Sequence, residues 1–265
     1  MPSTKVKEVL YRVSTQLQDI APQFTRWHER ELVTWLNDGQ RAIAKFLPAS
    51  CTRIDALKLK PGTKQSIELI APADVKPGDG SPAAAVYGNF LNDVVRNMGV
   101  DGLTAGRAVR VVSREVLDSQ NPDWHTIVGT GRVDQFVFDP RSPKVFYVTP
   151  AIGAAPAVWI EVSYLANPVD IPSTGTVAAP LYGADSASAT VISVDDKYVD
   201  DLANYILARA YMKDADFASS QPNAVAYSSM FTSSLNAQVQ ALTGNNPNLT
   251  ALPFAAQSQT PAAVR

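Results

Sequence analysis

Few residues of this sequence have the types and spacing that catalysis or metal binding needs. The histidines are His28 and His125, and the single cysteine is Cys51. One cysteine excludes a disulfide framework and a thiolate metal cluster, and two histidines leave little room for a histidine-based metal site. His125 follows Asp123 and Trp124 in NPDWHT, so a nearby serine would be needed to complete a hydrolytic triad. We favour the interpretation of His125 as a loop histidine beside an aromatic anchor.

The glycine-rich segments do not complete a phosphate-binding motif. Gly102 and Gly106 form one pair of glycines, and Gly129 and Gly131 form another. Both pairs lack the third glycine and the strand–turn–helix context of a dinucleotide fingerprint. No Gly-Lys-Ser/Thr sequence forms a P-loop, and no Gly-x-Ser-x-Gly sequence forms a nucleophile elbow. We therefore predict that the protein has no cofactor.

Two acidic pairs, at 195–196 and 200–201, are the remaining candidates for a metal site. Both fall in the first turns of a predicted helix, where the helix dipole stabilises negative charge. A calcium site would need more oxygen ligands at closer loop spacing. We predict helix capping here, and we predict no metal ligand, no catalytic residue and no enzymatic activity.

Composition and charge narrow the class of protein. The chain has 265 residues, of which 46% are apolar, enough for a core. Its net charge of −2 argues against a protein whose main task is to neutralise nucleic-acid phosphates. Arginines near two tryptophans are interleaved with acidic residues that nearly cancel their charge: Arg26, Arg30 and Arg41 among Glu29, Glu31 and Asp38. Because the chain has no long apolar run and no N-terminal apolar region, we expect no membrane span, no secretory signal and a soluble intracellular protein.

Helices are predicted at both ends of the chain. Apolar residues recur at three- and four-residue steps over 6–17 and 25–47, and again over 193–215 and 222–243. Gly39 lies inside the second helix at a cost of about 1 kcal/mol relative to alanine, so either a neighbouring element packs closely there or the cost is tolerated. No charged residue occurs between Asp216 and Arg265. That surface suits packing against another subunit, although a polar uncharged helix is also soluble by itself.

The middle of the chain, 50–192, has a period close to two and predicts a β-rich domain. One helix is predicted inside it, at about 82–99, because Phe90, Leu91 and Val94 share a helical face and Gly99 can form the C-cap. Residues 166–192 are rich in proline, glycine, serine and alanine and predict a connector of a length that is often functional. Strands are predicted over 53–60, 65–71, 108–114, 135–139, 144–150 and 157–165.

The predicted fold class is α+β: a helical bundle from both chain ends with an inserted β-rich domain and an extended C-terminal tail. The helices at the two ends can pack together because the β region between them is contiguous. The predicted boundaries are 1–49 for the N-terminal bundle helices, 50–192 for the β-rich domain, 193–244 for the C-terminal bundle helices and 245–265 for the tail.

Three stretches of the sequence resemble a known family. They are WLNDGQRAI (35–43), DPRSPKVFYV (139–148) and YVDDLANYILARAYMKDA (198–215). In this order they are similar to the head-to-tail adaptor (connector) proteins of tailed bacteriophages, and the resemblance covers most of residues 1–245. None of the three is a catalytic motif.

The resemblance implies a structural virion protein at the head–tail junction (neck), made in the host cytoplasm. Such proteins form a ring, usually of about twelve copies, under the portal vertex, where the ring extends the DNA channel. The implied partners are further copies of the chain, the portal protein and a tail tube or nozzle protein, with DNA passing through without specific binding and no membrane. The helices over 193–215 and 222–243, with the tail, would dock on the portal, and the β domain would face the tail tube.

Two other classes of function stay open from the sequence. A glycan- or receptor-binding β module on a helical stalk would use exposed Trp124 and Tyr182 for stacking, and a screen against host polysaccharides would test it. A hydrolase would use Asp123 and His125. The substitution His125→Ala would test that class, because the assembly of an adaptor does not depend on this side chain.

Overall fold

A computed structural model describes residues 3–19, 26–129, 131–173, 181–182, 187–214 and 220–244. The described helices are α1 (Val6–Gln16), α2 (Glu29–Phe46), α3 (Arg114–Gln120), α4 (Val199–Lys213) and α5 (Ser220–Gly244). The described strands are β1 (Thr52–Lys58), β2 (Gly62–Ser66), β3 (Val75–Pro77), β4 (Gly88–Asn97), β5 (Arg110–Val111), β6 (Gln135–Phe138), β7 (Val145–Ile152) and β8 (Trp159–Ala166).

The helices α1 and α2 form where their apolar stripes predict them. In α2, Glu29 and Glu31 occupy the first turn, where the helix dipole favours negative charge. The sequence also predicts Thr25 as the N-cap of this helix, and Thr25 lies outside the described residues. Gly39 marks a close approach of another helix, since a β-carbon there would lie 3.1 Å from both Leu202 and Tyr205 of α4. Of the two explanations for this glycine, close packing of a neighbour is the correct one.

The β-rich middle consists of two four-stranded sheets, with strand orders β3-β1-β8-β4 and β2-β7-β6-β5. Neighbouring strands are antiparallel except for β5 and β6, which are parallel. The two sheets share one apolar core, to which both contribute buried side chains, among them Leu91, Val94, Ile160, Val162, Phe136, Phe146 and Val148. The structure has a strand in or overlapping each of the six predicted strand segments.

The helix predicted at about 82–99 is wrong, because this segment contains the strand β4. The register of β4 against β8 shifts three times, between Gly88 and Phe90, Leu91 and Asp93, and Val94 and Arg96. Each shift adds an extra residue to the strand. Buried positions therefore recur every third residue, at 88, 91, 94 and 97, and this spacing imitates the period of a helix.

The prediction of a helical bundle formed from both chain ends is also wrong. The helices α1 and α2 precede the β-rich part, and α4 and α5 follow it. Among the described helices, α1, α2 and α5 each pack on α4. The apolar surface of α4 is wide enough to support several neighbours, with buried Leu202, Ala203, Ile206, Leu207 and Ala210.

The remaining parts of that fold prediction have separate outcomes. The class itself, α+β, is correct. The predicted extended tail over 245–265 lies outside the described residues. The domain boundaries drawn after residues 49, 192 and 244 stay a prediction.

The N-terminal segment is held by a carboxylate near the start of α4. Asp196 accepts hydrogen bonds from the backbone nitrogens of Ser3 and Thr4, both at 2.9 Å, and from the Ser3 hydroxyl at 2.6 Å. The sequence also predicts a capping box formed by Ser193 and Asp196. The structure does not have it, since Ser193 Oγ instead donates to the carbonyl of Val169 at 2.8 Å. The hydrogen bonds from Ser3 and Thr4 hold the pKa of Asp196 well below its usual range.

We call these hydrogen bonds from Ser3 and Thr4 to Asp196 the Asp196 clamp. Because they depend on the ionised carboxylate, we expect the N-terminal segment to detach from Asp196 at acidic pH. A carboxyl whose pKa is lowered in the folded state stabilises that state above the ordinary carboxyl pKa, about 4, and this stabilisation is lost as the pH falls below it. In an NMR titration from neutral to acidic pH, the amide signals of Ser3 and Thr4 should move toward unstructured positions at the acidic end. In the Asp196→Asn variant, the amide signals of Ser3 and Thr4 should lie near unstructured positions already at neutral pH. A titration of this variant that matches the wild-type titration would contradict the clamp.

Candidate interaction surfaces

The aromatic loop that contains His125 is packed in a way that does not favour hydrolysis. His125 Nδ1 lies 3.0 Å from Thr63 Oγ1, and its ring stacks on Trp124 at a centroid distance of 3.6 Å. In the part of the chain that the structure describes, Asp123 is not a hydrogen-bond partner of this histidine. Trp124 is only 2% exposed and donates its indole N–H to Asp118 at 2.9 Å. The interpretation as a loop histidine beside an aromatic anchor fits this geometry.

The two other candidate side chains, His28 and Cys51, lie at the ends of helices. His28 lies at the N-cap position of α2 in extended conformation. Cys51 is half-buried at the end of a short 3-10 helix, Pro48–Cys51. Burial raises the pKa of its thiol, so the reactive thiolate is disfavoured.

The acidic residues near the start of α4 bind different partners. Asp196 holds the N-terminal segment, and Asp200 forms an ion pair with Arg12. Asp201 is buried and accepts a hydrogen bond from Gln238 of α5 at 3.1 Å. Within the described ranges, no three side chains of metal-ligating type come together.

Two of the three arginines near the tryptophans, Arg26 and Arg41, are paired with carboxylates. Arg26 forms an ion pair with Asp214 and lies over the ring of Trp27, 4.9 Å from its centroid. Arg41 contacts Asp170 at 2.5 Å and Asp38 at 3.0 Å. These cations tie α2 to its surroundings, and the geometry does not favour a nucleic-acid interface built on them.

The stretch WLNDGQRAI holds the connector that follows the β-rich part. Asn37 makes two hydrogen bonds to the backbone of Ile171, accepting from its N–H at 2.9 Å and donating to its carbonyl at 3.0 Å. Gln40 accepts from the Ser193 N–H at 2.5 Å. Gly39 lies between them and leaves room for α4. This stretch therefore joins α2 to both the connector and the C-terminal helices.

The start of α2 also binds the connector. The carboxylate of Glu29 is buried and accepts from the N–H groups of Leu181 and Tyr182, both at 3.0 Å. Tyr182 is 1% exposed and donates its hydroxyl to the Pro172 carbonyl at 2.9 Å. With Trp124 and Tyr182 both buried, the stacking residues expected of a glycan-binding module are not on the surface.

The roles of Glu29, Asn37 and Gln40 were not predicted from the sequence. A signal for them exists, because these polar residues fall on the same helical face as the buried Val33 and Leu36. A polar side chain on a buried face needs a hydrogen-bond partner. The sequence does not say which distant backbone groups supply it.

The uncharged helix α5 packs on α4 through one side. Tyr227 stacks on Tyr211 at 5.7 Å, and Phe231 meets Tyr205 edge-on at 5.2 Å. The opposite side carries exposed apolar and hydroxyl side chains, including Val225 at 61% and Met230 at 53% exposure. A surface without ionisable side chains costs little to desolvate, so this side of α5 is suited to bind another protein.

A family model matches nearly the whole chain. The family model described as SU10 adaptor protein matches residues 4–251 of the chain. No curated protein matches it. None of the helices that the structure describes combines the length and the apolar character needed to cross a membrane.

Proposed function

Because the chain belongs to the SU10 adaptor protein family, we propose that it forms a ring that joins the portal vertex of a phage head to the tail. The family is one of phage structural adaptors, and it is not known as an enzyme family. The proposed ring has about twelve copies, as closed cyclic assemblies of identical subunits allow. It lies in the neck of the virion and extends the DNA channel, and it needs neither a cofactor nor a catalytic residue.

The observation that carries this proposal is the family match over residues 4–251. The uncharged side of α5 supports it, because a structural protein of a multi-component particle needs surfaces that bind other proteins. The family stretch 35–43 supports it in another way: its residues hold the connector and α4 in place, which is a structural role and not a catalytic one.

The proposed orientation places the helices α4 and α5, with residues 245–265, against the portal protein. The β-rich part then faces the tail tube or nozzle protein. DNA passes through the ring without specific binding. The small net charge of −2 supports this last point, since strong phosphate binding depends on a large positive charge.

Removal of residues 245–265 is expected to weaken attachment to the portal and to leave the folded monomer intact. The deletion begins after the end of α5 at Gly244, so it removes no described core residue. Attachment is measured by co-sedimentation of the truncated chain with portal particles from the same phage, and the fold by far-UV circular dichroism. Full attachment by the truncated chain would overturn the role given to this segment. Failure of the complete chain to co-sediment would count against the adaptor function.

A further inference from the structure

A broad groove, which we call the waist groove, is lined by residues from the end of α2, the start of β4 and the segment after β8. Its volume is about 950 Å³. Its lining includes Lys45, Cys51, Tyr87, Asn89 and Val169. Two of the lining side chains are strongly exposed, Tyr87 at 54% and Val169 at 62%. This waist groove is open and partly apolar, and that shape suits a protein loop better than a small molecule.

The loop that follows β4 is an apolar projection with a fixed conformation. Within this β4 loop, residues 98–105, Val100 is 62% exposed and Leu103 is 71% exposed. The Asp101 carboxylate accepts from the N–H groups of Leu103 at 3.0 Å and Thr104 at 3.1 Å. Gly102 lies against the ring of Trp159, so closely that a β-carbon would come within 2.8 Å. A loop already held in one conformation loses little entropy when it binds.

We propose that the β4 loop of one copy occupies the waist groove of the next copy in the ring. The inference rests on the proposed ring. Val100 and Leu103 would contact Tyr87 and Val169, which buries apolar side chains on both copies.

Three charged side chains line the groove: Arg41, Lys45 and Asp170. Arg41 is paired with Asp170, so the remaining charge is that of Lys45, which is opposite in sign to that of Asp101 in the loop. Lys45 lines the groove and makes no ion pair with any residue that the structure describes. Asp101 lies between the two apolar residues of the loop, and the N–H groups of Leu103 and Thr104 lower the pKa of its carboxyl. Asp101 is therefore ionised at neutral pH, and opposite charges at an interface fix its register.

The positions of the two surfaces fit a ring. Head-to-tail contacts between identical subunits need two different patches on each subunit. The waist groove lies at the start of β4 and the β4 loop at its end, so they are about 30 Å apart along the strand. Each copy can therefore bind one neighbour through its loop and the other through its groove at the same time.

Cross-linking between introduced cysteines tests the contact. In a Cys51→Ser background, Asn89→Cys places a thiol in the groove and Leu103→Cys places one on the loop. The two positions are too far apart within one copy for a short bismaleimide to join them. Bound to portal particles, this variant should give a ladder from dimers upward on a denaturing gel. The control pair, Asn89→Cys with Met212→Cys, uses a side chain 50% exposed on α4 and should give no ladder.

A pair of substitutions tests the contact without cross-linking. In Val100→Asp/Leu103→Asp, ring formation on the portal should need at least a tenfold higher concentration, while the circular dichroism spectrum stays unchanged. Val116→Asp, at a 43% exposed position of α3, should assemble like wild type. This contact alone would be overturned if Val100→Asp/Leu103→Asp formed rings at the wild-type concentration. It would also be overturned if Asn89→Cys/Leu103→Cys formed rings on the portal but gave no cross-linked ladder. A portal that never carries a second ring would overturn the proposed function and the contact with it.

Discussion

Replacement of Gly39 by leucine should destabilise the fold by about 3 kcal/mol, the upper end of the range for overpacking a core. The reason is the contact between α2 and α4, where even a β-carbon would lie 3.1 Å from Leu202 and Tyr205. A leucine side chain extends further and would force α4 away from α2. Because α1, α2 and α5 all pack on α4, the displacement would loosen the whole helical part.

Denaturant unfolding measures this effect through the free energy of unfolding. Gly39→Ala should change it by less than about 1 kcal/mol, because the gain in helix propensity offsets a contact that flexible side chains can relieve. Thr34→Leu, at an exposed position of the same helix, is the matched control and should change it by less than about 0.5 kcal/mol. Equal stability of Gly39→Leu and the control would contradict the packing described for α4.

Two lysines on the outer side of α5 should weaken attachment to the portal about a hundredfold without destabilising the monomer. Ser229 and Ser233 are exposed, and lysine is a better helix former than serine, so Ser229→Lys/Ser233→Lys should fold normally. In the proposed complex these side chains are covered. Burying an unpaired charge costs about 3 kcal/mol or more, which corresponds to a loss of affinity of about a hundredfold.

The control for this prediction is Ser229→Ala/Ser233→Ala, which keeps the surface uncharged and should attach to the portal as wild type does. Attachment is measured by titrating each variant against portal particles and quantifying the co-sedimented fraction. Wild-type affinity of the lysine variant would show that this side of α5 does not face the portal.

Much of the helical part could be predicted from the sequence, because its signals are local. The stripes of α1 and α2 give their positions, and the wide apolar surface of α4 indicates a helix with neighbours on several sides. The arrangement around α4 could not be predicted, since it depends on which helices meet in space. The one local signal of that contact was Gly39, and it did not identify the partner.

The strand β4 shows how hydrophobic periodicity can predict the wrong secondary structure. Its three register shifts give buried positions every third residue, and a spacing of three is also what one face of a helix gives. Nothing in residues 82–99 alone distinguishes the two, because the shifts are defined only against the partner strand β8.

The contacts between α2 and the connector could not be predicted from the sequence for a similar reason. The buried face of α2 contains Glu29, Asn37 and Gln40, which are polar residues in an apolar stripe. Their partners lie at Leu181, Ile171 and Ser193, more than 130 residues away in the chain. The sequence therefore indicates that these side chains have partners, but only the fold identifies them.

Electron microscopy of the complex with the portal is the most direct test of the central claim. The purified chain is mixed with the portal protein from the same phage, and the particles are imaged at several salt concentrations. The adaptor function predicts a second ring stacked on the portal, with about twelve subunits around the same axis. A portal that stays bare under every salt condition, with folded chain present in excess, would contradict it.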